Sequence, residues 1–163
     1  MIVTLTFKRK ELLYDAENYS FVEGDIMPVD EEHSRHQVFD IGQSGNVDRV
    51  TRVLNLRFSE CIEMLYPYAK NEVTDIALDN SLSIPEEYTV SLNLPEEFSQ
   101  TTINLLKELI HEYLVCRVVA DWMSITNPSR QETWDSKAEG AKRKIQTSLM
   151  SRRKIPLRKM NPF

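Results

Sequence analysis

Residues 98–123 read FSQTTINLLKELIHEYLVCRVVADWM. Wound at 3.6 residues per turn, the stretch carries apolar residues on two sides. Ile103, Leu106, Ile110 and Leu114 share one, while Leu105, Leu109, Cys116, Val119 and Met123 share the other. A helix that is apolar nearly all round has to be surrounded by other elements. The spacing therefore predicts a central helix over about 96–125, with Trp122 in its last turns. Roughly 30 residues at ~1.5 Å rise make it about 45 Å long, the longest element of the chain. Pro95 followed by Glu96 and Glu97 suits its entrance, because proline tolerates the first turn and negative charge favours the positive end of the helix dipole.

Working outward, Asn127 followed by Pro128 reads as a fresh cap and first helical residue, so a second helix turns back after a short connection. Its stripe is narrow. Trp134, Ala138, Ala141, Ile145 and Leu149 recur at four, three, four and four residues among charged neighbours, which places this helix outside and against the central one. The predicted core of the pair is Leu106, Ile110, Leu114, Trp122, Trp134, Ala141, Ile145 and Leu149. Pro156 and Pro162 keep the last residues out of a helix.

Toward the amino terminus, residues 2–7 alternate, with Val3, Leu5 and Phe7 on one side and Thr4 and Thr6 on the other, the period of a half-buried strand. Residues 88–94 alternate in the same way through Tyr88, Val90, Leu92 and Leu94, and the two strands are predicted to pair. Between them, Leu12, Leu13, Ala16, Tyr19 and Phe21 predict a helix over 10–22 that breaks before Gly24 and Pro28. The acidic DEEH stretch at 30–33 reads as a loop leading into a helical turn through Val38, Phe39 and Ile41. A longer helix is predicted from a cap near Asn46 or Asp48, through Val50, Leu54, Phe58, Cys61, Ile62 and Leu65, ending before Pro67. A short helical turn and loop follow over 71–85.

The predicted fold is thus mainly α: a helical bundle around a long central helix antiparallel to a carboxy-terminal helix, with two short β-strands and an extended carboxy-terminal tail. Residues 1–152 form the helical body with its small β element, and 153–163 the tail. At 163 residues one domain can bury roughly 70 % of the surface of its unfolded chain, so no disulfide or metal is needed to hold it. Cys61 and Cys116 have no second cysteine nearby and read as buried free thiols. No segment approaches the roughly 20 apolar residues of a membrane-spanning helix, and the first ten residues are too short an apolar run for a secretory signal.

Charge is distributed unevenly. The net value of −5 hides a carboxy-terminal part, from Asp135 onward, with nine Lys and Arg against two acids, and a remainder with eleven against twenty-three. Such a molecule is electrically two-ended, which suits an acidic partner at the basic end or head-to-tail stacking of copies.

Nothing in the motifs points to catalysis. Glu108 and His111 form one Glu-x-x-His, half of a carboxylate-bridged di-iron site, but a second is missing. His111 and Glu112 fail as a zinc protease motif because position 115 is Val. His33, His36 and Asp40 read as surface residues, and with four glycines the chain has no phosphate-cradling loop. No cofactor is expected. Nucleic-acid binding through Lys142, Arg143, Lys144 and the basic tail is the alternative reading, although a body at −12 opposes it and the tail lacks interleaved aromatics.

From Leu105 onward the order of features resembles the head-to-tail connector, or adaptor, proteins of tailed phages. These features are a long apolar helix reaching a Trp in VVADWMSITNP, a turn, a second helix with Trp134 and small residues in WDSKAEGAKRKIQTSLMSRR, and a basic extended end. The resemblance implies a non-enzymatic virion protein of the phage neck, made in the host cytoplasm. It would assemble as a ring, dodecameric in that family, that joins the capsid portal protein to other neck or tail proteins and lets DNA pass. It also implies that the carboxy-terminal segment docks on the portal. In this chain the docking residues would be Arg152, Arg153, Lys154, Ile155, Pro156, Leu157, Arg158, Lys159, Met160 and Phe163, with the cations giving charge-assisted hydrogen bonds and the apolar residues anchoring between them. The amino-terminal strand and YTVSLNL depart from a purely helical adaptor.

Overall fold

The computed structural model describes residues 1–28, 30, 32–69, 82 and 84–150. Its elements are β1 (Ile2–Lys8), α1 (Arg9–Asp25), α2 (Glu32–Phe39), a 3-10 turn (Asp40–Gly42), α3 (Ser44–Leu65), β2 (Glu87–Asn93), α4 (Gln100–Thr126) and α5 (Pro128–Met150). The predicted turn at 71–85 falls mostly on residues outside those described, and so does the segment 151–163.

The architecture is a helical bundle around α4, with α5 packed along it and a two-stranded antiparallel sheet at one side. All five residues of the α5 stripe, Trp134, Ala138, Ala141, Ile145 and Leu149, are buried, and the two alanines let the α4 and α5 backbones come close. Asn127 and Pro128 make the connection as read: the Asn127 carbonyl accepts from the Arg130 N–H (3.0 Å) and its side-chain oxygen from the Ser129 hydroxyl (2.8 Å). In the sheet Val3 faces Leu92, Leu5 faces Val90 and Phe7 faces Tyr88, so one face is apolar and joins the core. Thr4 and Ser91 pair on the other face, with their hydroxyls 3.2 Å apart. A two-stranded sheet is marginal alone. Here Phe58 of α3 packs on Tyr88 (4.9 Å between centroids), and the Tyr88 hydroxyl donates to the Asn55 side chain at 2.5 Å.

Four boundaries differ from the sequence reading, each for a local reason. Helix α4 begins at Gln100 instead of 96, because the Ser99 hydroxyl caps the Thr102 N–H (3.2 Å) while Pro95 to Phe98 closes a separate turn. Helix α1 continues through Gly24 to Asp25, and glycine at that place makes room for the Phe39 ring, which a Cβ would approach within 2.3 Å. The stretch read as an acidic loop is helical from Glu32. Its Arg35 ties α2 to the end of α1 by donating to the Gly24 carbonyl (3.0 Å). Helix α3 starts at Ser44, ahead of the expected cap, because the Asn46 side chain reaches back to the Asp40 carbonyl (2.8 Å) instead of capping its own helix.

The central helix is also less uniform than its composition predicts. From Tyr113 to Met123 nearly every residue is buried, including Trp122, whose indole N–H donates to the Val38 carbonyl at 3.0 Å. Before Tyr113 only the side of Ile103, Leu106 and Ile110 is fully packed. Leu105, expected in the second apolar stripe, is 51 % exposed, and Leu109 is only partly buried.

Candidate functional site

The open side of α4 is not apolar. Helix α1 runs beside it and leaves a groove of about 510 Å³, lined by Lys10, Glu11, Tyr14 and Asp15 from α1 and by Lys107, Glu108, His111 and Glu112 from α4. The spacing of the α4 residues brings them to one side of the helix, as i, i+3 and i+4 neighbours do. The His111 ring nitrogen lies 2.5 Å from an Asp15 carboxylate oxygen, and the Tyr19 hydroxyl donates to Glu112 at 2.8 Å. Behind Glu112 the Cys116 thiol donates to the same carboxylate at 3.4 Å.

Burial first, and then Glu112, pushes the Tyr19 hydroxyl and the Cys116 thiol well above their ordinary values, the thiol to about 12. Both groups stay protonated and act as donors. A neutral, buried thiol is a poor nucleophile. Glu108, His111 and Glu112, the residues with metal-ligand spacing, thus act separately: His111 and Glu112 fasten α1 to α4, while Glu108 is exposed at the groove.

Toward the closed end the polar seam passes to α5. The Trp134 ring stacks on Tyr19 (5.1 Å), with the Lys137 ammonium 4.2 Å above its centre. The Trp134 N–H donates to Glu23 at 3.1 Å, and Arg130 donates to both oxygens of that carboxylate at 2.9 Å. Glu23 is 4 % exposed, the one buried carboxylate among the described residues, and its hydrogen bond to Arg130, followed by its charge, raises the Arg130 pKa. On the far side of α4, Arg117 pairs with Asp135 at 3.0 Å and with Glu139, and stands over the Tyr113 ring. Burial opposes its charge, but Tyr113 and Glu139 more than offset this, so its pKa too is raised.

Comparison of the chain with protein-family models, with characterised proteins and with solved structures returned no match. The site is therefore read from chemistry alone. The eight core residues named from the sequence are all buried. The docking residues Arg152 to Phe163 lie outside the described residues. What leads up to them is described: α5 ends with Leu149 buried, its carbonyl 3.5 Å from the Tyr68 hydroxyl, while Arg143 and Lys144 are exposed.

Sequence reasoning missed Asp15, Tyr19, Glu23 and Arg130. The first three recur every four residues and form a line on α1 in which Tyr19 counted from sequence only as part of the apolar stripe. That line was the available signal. What it touches depends on α4 and α5, far away in sequence.

Proposed function

We propose that this chain is a structural subunit of a tailed-phage neck. Copies form a ring that joins the capsid portal to the tail and leaves a passage for DNA, and the basic segment Arg152 to Phe163 docks on the portal. The observation that carries the reading is the α4 and α5 pair: a long central helix bearing Trp122, a tight Asn127–Pro128 turn, and an antiparallel helix whose buried stripe is complete at Leu149, just before the basic segment begins. Among the described residues the α5 stripe closes without residues 152–163, and the proposal gives those residues to a partner. Their cations and alternating apolar residues suit an extended segment laid on another protein's surface. No catalytic step is part of this reading.

The test is assembly. Particles made with a chain lacking residues 154–163 are expected to lack this subunit, while the shortened protein melts within a few degrees of the intact one. Negative-stain images are expected to show closed rings, either alone or once portal protein is added. Normal incorporation of the shortened chain, or the absence of rings under both conditions, overturns the reading.

The exposed Arg143 and Lys144, which lead into the basic segment, favour one alternative, a basic-tailed nucleic-acid-binding or regulatory module. It requires duplex binding that weakens steeply with salt and disappears with the segment.

A further inference from the structure

We infer that the groove between α1 and α4 is the dock for residues 152–163 of a second copy of this chain. The inference rests on the reading of that segment as a docking element. It adds a second surface for it: contact with the portal and contact with another copy are alternatives for one segment, so the groove holds it between copies that have not yet met the portal.

Three observations point to this occupant. The groove presents four carboxylates, Glu11, Asp15, Glu108 and Glu112, against two lysines, and two of those carboxylates are held in position by His111 and Tyr19. Apolar groups are exposed beside the acids: Tyr14 at 64 %, and Leu105, which lies one turn before Glu108 on the same side of α4, at 51 %. The segment supplies the complement, with five cations, no acid, Ile155 and Leu157 between the cations, and Met160 and Phe163 after them. Twelve extended residues at roughly 3.3 Å each reach about 40 Å, so length does not prevent the contact.

The donor is assigned to a second copy because the ring proposed above is built from copies in contact; return of the segment to its own groove is the outcome that the isotope test separates. A segment given by one copy and received by the groove of the next makes a heterologous contact, the kind that generates a ring or a filament.

The experiment uses the full chain with Tyr14 replaced by the photo-crosslinking residue p-benzoylphenylalanine. Equal amounts of isotopically heavy and light protein are mixed, irradiated and mapped by mass spectrometry. Mixed heavy–light crosslinks from position 14 to residues 152–163 are expected, and their yield is expected to fall about tenfold when Glu11→Lys and Glu108→Lys are combined in the receiving copy. Crosslinks only within one isotopic species, no crosslinks to the segment, or an unchanged yield in the charge-reversed protein would each overturn the inference. The circular dichroism melt of the charge-reversed protein serves as the check that it folds. Portal is absent throughout, so a failure here leaves the neck assignment to be decided by its own particle test.

Discussion

The two halves of α4 differ in composition and in fate: five of the thirteen residues from Gln100 to Glu112 are apolar, against nine of the eleven from Tyr113 to Met123. In the half from Tyr113 to Met123, α1, α2, α3 and α5 cover the helix, and even its tryptophan is satisfied by a backbone carbonyl. In the half from Gln100 to Glu112 one side stays open, Leu105 faces solvent, and charged residues of α1 and α4 border a groove. The difference lies in the helix as well as in its neighbours: the first half has one apolar side to cover, the second has apolar residues nearly all round. An apolar residue is a core residue only where another element arrives to cover it, and a carboxylate is harmless beside it only where a donor such as Tyr19 or Arg130 arrives too.

That contrast can be broken most sharply through the thiols. Burial pushes both Cys61 and Cys116 up to about 12. At pH 8 their reaction with a disulfide reagent is expected to run on the order of 10³-fold slower than that of a free thiol, and to become fast in denaturant. The sign for stability follows: groups raised in the fold favour it below about pH 8.5, and that contribution is lost as the pH climbs toward 12, so the urea midpoint is expected to fall over that interval. Rapid labelling in the native state would show the closed half to be open.

Next in size is Trp134→Ala. It removes a buried ring, its stacking on Tyr19 and its bond to Glu23 at once, and is expected to cost about 3 kcal/mol or more in urea unfolding. An unchanged midpoint would mean that the α5 stripe is not part of the core. A Gly24→Ala exchange is expected to cost about 2 kcal/mol despite the better helix propensity of alanine, because the new methyl group meets the Phe39 ring. Pairing it with Phe39→Leu should recover part of the loss, and no recovery would assign the cost to something other than that contact. The smallest effect belongs to the open half: Leu105→Ala is expected to change stability by less than about 0.5 kcal/mol, against several for Leu114→Ala one face away in the closed half.

Much of this architecture was legible because its signals are periodic and local. The alternation of Val3, Leu5 and Phe7 marks a strand whatever it pairs with, and the spacing from Trp134 to Leu149 marks a helix with one buried side. The groove was legible only in part. Glu108, His111 and Glu112 stood out by their spacing, but Asp15 and Tyr19 lie 96 and 93 residues away from their partners. Helix starts were the least legible, since Ser99 and Asn46 are both good caps by residue type and only one of them caps.

The sequence by itself determined both strands and the four longer helices, though not α2, that one helix would be central and another lie along it, and that positive charge would gather after Trp134. These follow from residue spacing, and spacing is a property of a single segment. Only the tertiary structure decided that half of α4 would stay open, that Gly24 would continue a helix instead of ending one, and that Glu23 would be buried. Each of these depends on where a second segment's ring, guanidinium or backbone comes to rest, and no local pattern specifies that.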